Sequence, residues 1–291
     1  MSKQLNVLVE MKKQGFSSYT IKFTSKALRR ISQFACLDDP EAVKNWVMFF
    51  DVNPSYKKNL CFAYGRYARF YGLEWISPRF KICNKLPKIP SNMRLEKLIS
   101  AASPTLAVKL CLSKETGLRP IEVCRLKVRD IDLDKKMVYP ESAKGGSARV
   151  LKTTQRTADM IKAHIYKRKL GVNDYLFNGS SECYGKGYRI MRNRLADKIQ
   201  DLALKKIRLY DFRHFFATTF YHKTRNLLLT KQKMGHHKIE TTLIYTQLID
   251  MEGDEYICGT AENVKQSLKL IEDGFEYVTE IDGVKLFRKR K

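Results

Sequence analysis

Several features that define other kinds of protein are missing from this chain of 291 residues. No run approaches the ~20 consecutive apolar residues that a bilayer-spanning helix needs. The first ten residues, Met1 to Glu10, are too polar in pattern for a secretory signal. The seven cysteines are odd in number and scattered without a CxxC pair, so neither a zinc site nor a disulfide framework is indicated. Cys61 and Cys111 lie in apolar runs and read as small core residues, which suits a reduced, cytoplasmic protein. The phosphate-binding loop GxxxxGKS/T is absent, which argues against nucleoside triphosphate hydrolysis. There are five histidines and no clustered carboxylate–histidine set, so neither a metal nor a cofactor is expected. Acidic residues are also scarce: 30 Asp and Glu face 55 Lys and Arg, a net charge of +25. Such a field favours a polyanionic partner, either nucleic acid or an anionic membrane surface.

What is present is a globular composition, 44% hydrophobic and 29% charged, long enough for two domains. Residues 77–92, SPRFKICNKLPKIPSN, hold three of the eight prolines, four basic residues and no acid, and read as an extended linker. Up to residue 92 there are 16 basic against 6 acidic side chains, and 39 against 24 beyond it. Two basic bodies joined by a basic strap suit a clamp around a DNA duplex. Residues 1–80 read as a helical domain. One helix is expected over Ser17–Leu37, with Ile21, Leu28, Ile31, Phe34 and Ala35 inward. Two more open at Asp39-Pro40 and Asn53-Pro54. The last carries Lys57, Lys58, Arg66 and Arg69, candidate phosphate contacts or simply a solvated face.

Residues 93–250 mix helices with three short strands, near Val128–Leu133, Met137–Tyr139 and Arg149–Lys152. Helices are expected at Arg94–Ala102, Pro104–Glu115, Thr157–Lys169, Tyr188–Leu204, Leu209–Thr224, Leu227–Met234 and Thr241–Ile249. The fold class is therefore mainly α with a small antiparallel β-sheet. Residues 251–291 add a helix over Asn263–Ile271 and a β-hairpin turning at Asp282-Gly283.

Four segments of the larger part carry candidate chemistry. In TGLRPIE, Gly117 can end one helix and Pro120 start another; this puts Arg119 at a helix entrance with Glu122 one turn on. In AKGGS, Lys144 sits at a flexible hairpin tip. In LYDFRHFFAT, Phe212, Phe215, Phe216 and Phe220 form a helical stripe expected to be buried. Tyr210 and Arg213 share a neighbouring face, and His214 reads as a hydrogen-bonded structural histidine. In MGHHKIETTLIYT, Gly235 suits a helix C-cap, His236 falls in a tight turn and Tyr245 lies beyond the next short helix.

Taken in order, Arg119, Lys144, Tyr210 with Arg213, Gly235-His236 and Tyr245 resemble the tyrosine recombinase (phage integrase) family, with archaeal integrase or Xer-like character. The likeness covers about residues 93–250. It implies DNA strand cleavage by a tyrosine, Tyr245, giving a 3′-phosphotyrosine and a free 5′-hydroxyl, without ATP, metal or cofactor. It also implies that Arg119 and Arg213 bridge the phosphoryl oxygens, His236 hydrogen-bonds the phosphate and Lys144 protonates the leaving 5′-oxygen. Glu122 and His214 are supporting residues. Double-stranded DNA and a homotetramer on DNA, with the C-terminal tail docking a neighbouring subunit, are the expected partners. The family usually has His or Lys three residues before the second arginine; here that position is Tyr210. A phenol is a poor base at neutral pH but can donate a hydrogen bond to phosphate. The general base is thus open, with His236 the first candidate to accept the Tyr245 proton. A type IB topoisomerase-like relaxing enzyme and a catalytically weak DNA-binding regulator are the alternative readings.

Overall fold

In the computed structural model, residues 3–82, 86–143, 146–246, 248, 256–281 and 283–290 are described. The chain forms two compact units, Met1–Lys85 and Leu86–Lys291.

The first unit is a four-helix body: α1 (Lys3–Lys13), α2 (Ser18–Ile31), α3 (Pro40–Phe49) and α4 (Pro54–Phe70). Side chains start three of them. Ser17 accepts from the Thr20 N–H, Asp39 from those of Glu41 and Ala42, and Asn53 from that of Ser55. Leu28, Ile31, Val43, Val47, Leu60, Tyr64 and Tyr67 make its core. Two expectations change here. Helix α1 was not anticipated, although Val7 and Met11 point inward from it. Helix α2 stops at Ile31, short of Leu37, so Phe34 is exposed and stacks on Trp46 at 5.6 Å instead of entering the core.

The second unit is built around α6 (Pro104–Thr116), whose residues Ala107 to Ser113 are all buried. Against it pack α5 (Asn92–Ser100), α7 (Pro120–Arg125), α8 (Gln155–Arg168), α9 (Ser181–Lys198) and α10 (Asp211–Thr224). Strands β1 (Ile131–Asp132), β2 (Met137–Val138) and β3 (Leu151–Lys152) form a small antiparallel sheet, with Ile131 opposite Val138 and Val138 opposite Leu151. Residues Val128–Asp130 and Leu202–Lys206 are 3-10 turns rather than the expected strand and helix continuations. Helix α9 begins at Ser181, well before Tyr188. The Ser180 cap and the buried Tyr184 and Tyr188 hold a helix that carries two glycines in its first half. Helices α11 (Leu227–Met234) and α12 (Glu240–Leu243) follow α10.

The tail is a separate antiparallel sheet in the order β4 (Tyr256–Ala261), β6 (Val284–Arg290), β5 (Glu276–Ile281), with α13 (Val264–Glu272) between the first two in sequence. The helix and hairpin were expected; β4 was not. Gly259 of β4 lets Leu270 of α13 approach, since a Cβ there would lie 2.9 Å from its methyl. Among the described residues no helix is long and apolar enough to cross a membrane.

Candidate active site

The site starts where α6 ends. Gly117 caps that helix in the left-handed region (φ 63°), and a Cβ there would fall 2.4 Å from the Phe216 ring. This close turn aims the Gly117 carbonyl at Arg213, which donates to it from Nη1 at 2.5 Å. Two residues on, Arg119 is the N-cap of α7. Its backbone N–H donates to Glu122 Oε2 at 2.8 Å and its Nη1 to Oε1 at 2.9 Å. Glu122 is almost wholly buried and also accepts from Arg149 Nη2 at 2.7 Å and from the Ala143 N–H at 3.3 Å. Burial pushes its carboxyl up, but Arg149 and Arg119 outweigh this and hold it below the ordinary carboxylate value.

Arg213 comes from the first turn of α10 and is 1% exposed. Its Nη2 donates to the Met234 carbonyl at 2.6 Å and to His236 Nε2 at 3.0 Å. Among the described residues no carboxylate lies within ion-pair distance of it. Burial first, then repulsion from Arg119, lowers its guanidinium to about 10. A guanidinium has no acceptor, so His236 Nε2 accepts and the ring must be neutral, with Nδ1–H donating to Thr242 Oγ1 at 2.9 Å. Burial and the charges of Arg213, Arg119 and Arg149 agree, pulling His236 down to about 4.

Tyr245 lies on the turn after α12, 2% exposed, in a small core with Ala217, Met234 and Leu248. Its hydroxyl is 3.1 Å from His214 Nδ1. Burial raises that hydroxyl to about 12, although Arg213 pulls the other way. Helix α10 explains the neighbours. Positions 210, 213 and 214 lie within one turn, so Tyr210 and His214 stack edge to face at 5.3 Å while Arg213 points toward Gly117.

Arg119, Arg213, His236 and Tyr245, distant in sequence, are close enough for the two arginines to act on the histidine and the tyrosine, with Glu122 and His214 beside them. Lys144 lies outside the described residues. The hairpin flanks near it sit at the pocket: Ala143 bonds Glu122, and a Cβ on Gly146 would be 3.1 Å from the Gly235 carbonyl and 3.5 Å from Arg119 Nη1. His214 is hydrogen-bonded as expected, and its partner is the Tyr245 hydroxyl, whereas both nitrogens of His236 are engaged elsewhere. Two assignments need correction. The phenylalanine stripe is split: Phe212 is fully buried, whereas Phe215, Phe216 and Phe220 are half-buried. On α4, Lys57 donates to the Met48 carbonyl and Arg66 to the Phe62 carbonyl, both half-buried, so Lys58 and Arg69 are the exposed cations of that set.

Sequence reasoning missed Arg149, Thr242 and Asp211. Arg149 is 7% exposed, and its sequence context reads only as a strand. Its guanidinium packs where a side chain at Gly235 would be, 2.8 Å from an ideal Cβ. Asp211 is buried and accepts from the Arg208 N–H and guanidinium, fixing the start of α10. Its signal was available, an acid at the first position of a helix carrying a key arginine.

Residues 88–252 match the phage integrase family, and the chain belongs to it. It is therefore an enzyme of the DNA breaking and rejoining kind. It is similar to the tyrosine recombinase XerA of Saccharolobus solfataricus, 28% identical over 266 residues, covering 84% of this chain and 87% of that protein. The XerA of Thermococcus kodakarensis is 25% identical over 252 residues, covering 81% and 86%. The fold is shared with the Tn1549 transposon integrase in complex with circular intermediate DNA, at a TM-score of 0.63, 17% identity and coverage of 94% and 99%.

Proposed function

We propose that this chain is a site-specific DNA recombinase acting through Tyr245. The hydroxyl oxygen attacks a scissile phosphate; the Oη–P bond forms, the P–O5′ bond breaks, and a 3′-phosphotyrosine and a 5′-hydroxyl result. Attack by a 5′-hydroxyl of a second strand reverses the step, so the phosphoester energy is conserved and no nucleotide is consumed. Arg119 and Arg213 bracket the phosphoryl oxygens, where charge gathers in the transition state. Lys144, between Ala143 and Gly146 in sequence, is assigned to protonate the leaving oxygen. Tyr210, 42% exposed beside His214, donates to the phosphate. The observation that carries this reading is a buried tyrosine hydroxyl within the field of two guanidiniums, Arg213 buried and free of any carboxylate among the described residues and Arg119 half-buried on Glu122.

The net charge of +25 and the DNA-bound Tn1549 integrase and XerH recombinase structures support duplex DNA as the partner. A tetramer assembled on two duplexes is supported by the tail. Helix α13 shows Val264, Leu268 and Ile271 at i, i+4, i+7, each more than half exposed, a stripe suited to a neighbouring subunit. The test is a duplex nicked just beyond the cleavage position, which loses the 5′-hydroxyl fragment and traps the intermediate. A detergent-stable protein–DNA adduct is expected with the wild type and none with Y245F, which should bind DNA normally. Recombination of two marked sites, rather than relaxation of a supercoiled plasmid alone, separates a recombinase from a relaxing enzyme.

A further inference from the structure

We infer that His214 is the group that takes the Tyr245 proton during strand cleavage and returns it during rejoining. The inference rests on the function proposed above and adds a catalytic residue to it.

Three observations carry it. His214 Nδ1 is 3.1 Å from the Tyr245 hydroxyl, within reach for direct transfer. The rival imidazole is committed: His236 accepts from Arg213 at Nε2 and donates to Thr242 from Nδ1, so it has no free lone pair. The His214 ring is also held in place. Its backbone sits in the first turns of α10, Tyr210 packs on it at 5.3 Å and the Tyr245 ring at 5.9 Å.

Electrostatics agree with this role. The Tyr245 hydroxyl, raised to about 12, keeps its proton at neutral pH and needs an acceptor as it attacks. The groups facing His214 are Asp211 and Arg208 just before and at the start of α10, Arg213 one residue away, the neutral His236, and the Tyr210 and Tyr245 phenols. Burial, with Arg208 and Arg213, lowers its imidazole, while Asp211 raises it. His214 is therefore neutral at pH 7 and can accept. In cleavage the Oη–P bond forms as the proton passes from Oη to Nδ1, and the P–O5′ bond breaks with a separate proton reaching O5′. In rejoining, the imidazolium protonates the departing tyrosine oxygen. Tyr210, at the position where a base would otherwise be sought, leaves the task to the residue one helical turn further along.

Single-turnover adduct formation on the nicked duplex, from pH 5 to 9, tests this with three variants. Wild-type rates should be flat above pH 7 and fall tenfold per unit on the acid side, below a midpoint under ~6.5. H214Q should be slower by about 10²–10³-fold at pH 7 and lose the acid limb, its rate rising toward alkaline pH. H214N, whose amide can still touch the hydroxyl but cannot carry a proton, should be equally slow. Added imidazole should restore H214A. H214N within threefold of wild type, or no imidazole rescue of a DNA-binding H214A, would each overturn the assignment to His214. An adduct formed by Y245F would overturn the underlying function instead, so the two failures are distinguishable.

Discussion

The two arginines of the pocket are held in opposite ways. Arg119 is fixed by a carboxylate: Glu122 binds its guanidinium and its backbone, and ties both to Arg149 and the Ala143 end of the hairpin. Arg213 is buried more deeply, yet its partners are two carbonyls and a neutral imidazole. The first arrangement neutralises charge and organises structure. The second orients a guanidinium while leaving its charge uncompensated, with Arg119 close enough to depress it. Three guanidiniums, two on one carboxylate and the third without a carboxylate partner among the described residues, leave the site with net positive charge. In the function proposed above, a phosphodiester would balance it. The contrast implies that the Arg119 side serves mainly stability and the Arg213 side mainly chemistry.

The largest effect should fall on chemistry. R213M should lower adduct formation by about 10³-fold, as removal of a donor to the developing charge does. Its unfolding free energy should stay within about 1 kcal/mol of wild type. Relief of an uncompensated buried charge offsets the carbonyls left unpaired. Urea unfolding of R213M beside its cleavage rate checks both halves; a loss of several kcal/mol would erase the contrast. Next in size, E122Q should cost about 3 kcal/mol in stability, because Arg119 and Arg149 lose their counter-charge. The pH dependence has a definite sign. The Glu122 carboxyl is held below its ordinary value in the folded protein, so its contribution is complete above about pH 4.5 and is lost as pH falls through the folded value. E122Q should therefore flatten the acid side of the stability–pH curve, as thermal melts across pH 3–7 would reveal. The smallest effect should come from T242V. It removes the acceptor for His236 Nδ1–H and should cost about 1 kcal/mol, with cleavage slowed only a few-fold.

Much of the larger unit was legible because its signals are local. Gly117 and Gly235 end helices in left-handed turns, and Pro104 and Pro120 open them. The order of boxes from Arg119 to Tyr245 brought the central residues together before any coordinates. What stayed hidden depends on contacts across long sequence separations. Arg149 reaches Glu122 across 27 positions, and its alternation within a short strand says nothing of that. His214 meets Tyr245 across 31 positions, through the packing of the turn after α12 on α10. Local reasoning saw a histidine beside an apolar stripe and could not see which ring it faced. Strand β4 escaped because it pairs with β6, nearly thirty residues away, rather than with a neighbour in sequence.

The central claim is that a buried phenol, Tyr245, is the nucleophile of an arginine-lined anion pocket. Its most direct test is to trap the adduct on a nicked duplex, digest protein and DNA, and locate the nucleotide-bearing residue by peptide mass spectrometry. The mass of the nucleotide should be found on Tyr245. Finding it on Tyr210 or another residue, or finding no adduct in DNA-bound wild-type protein, would contradict the account.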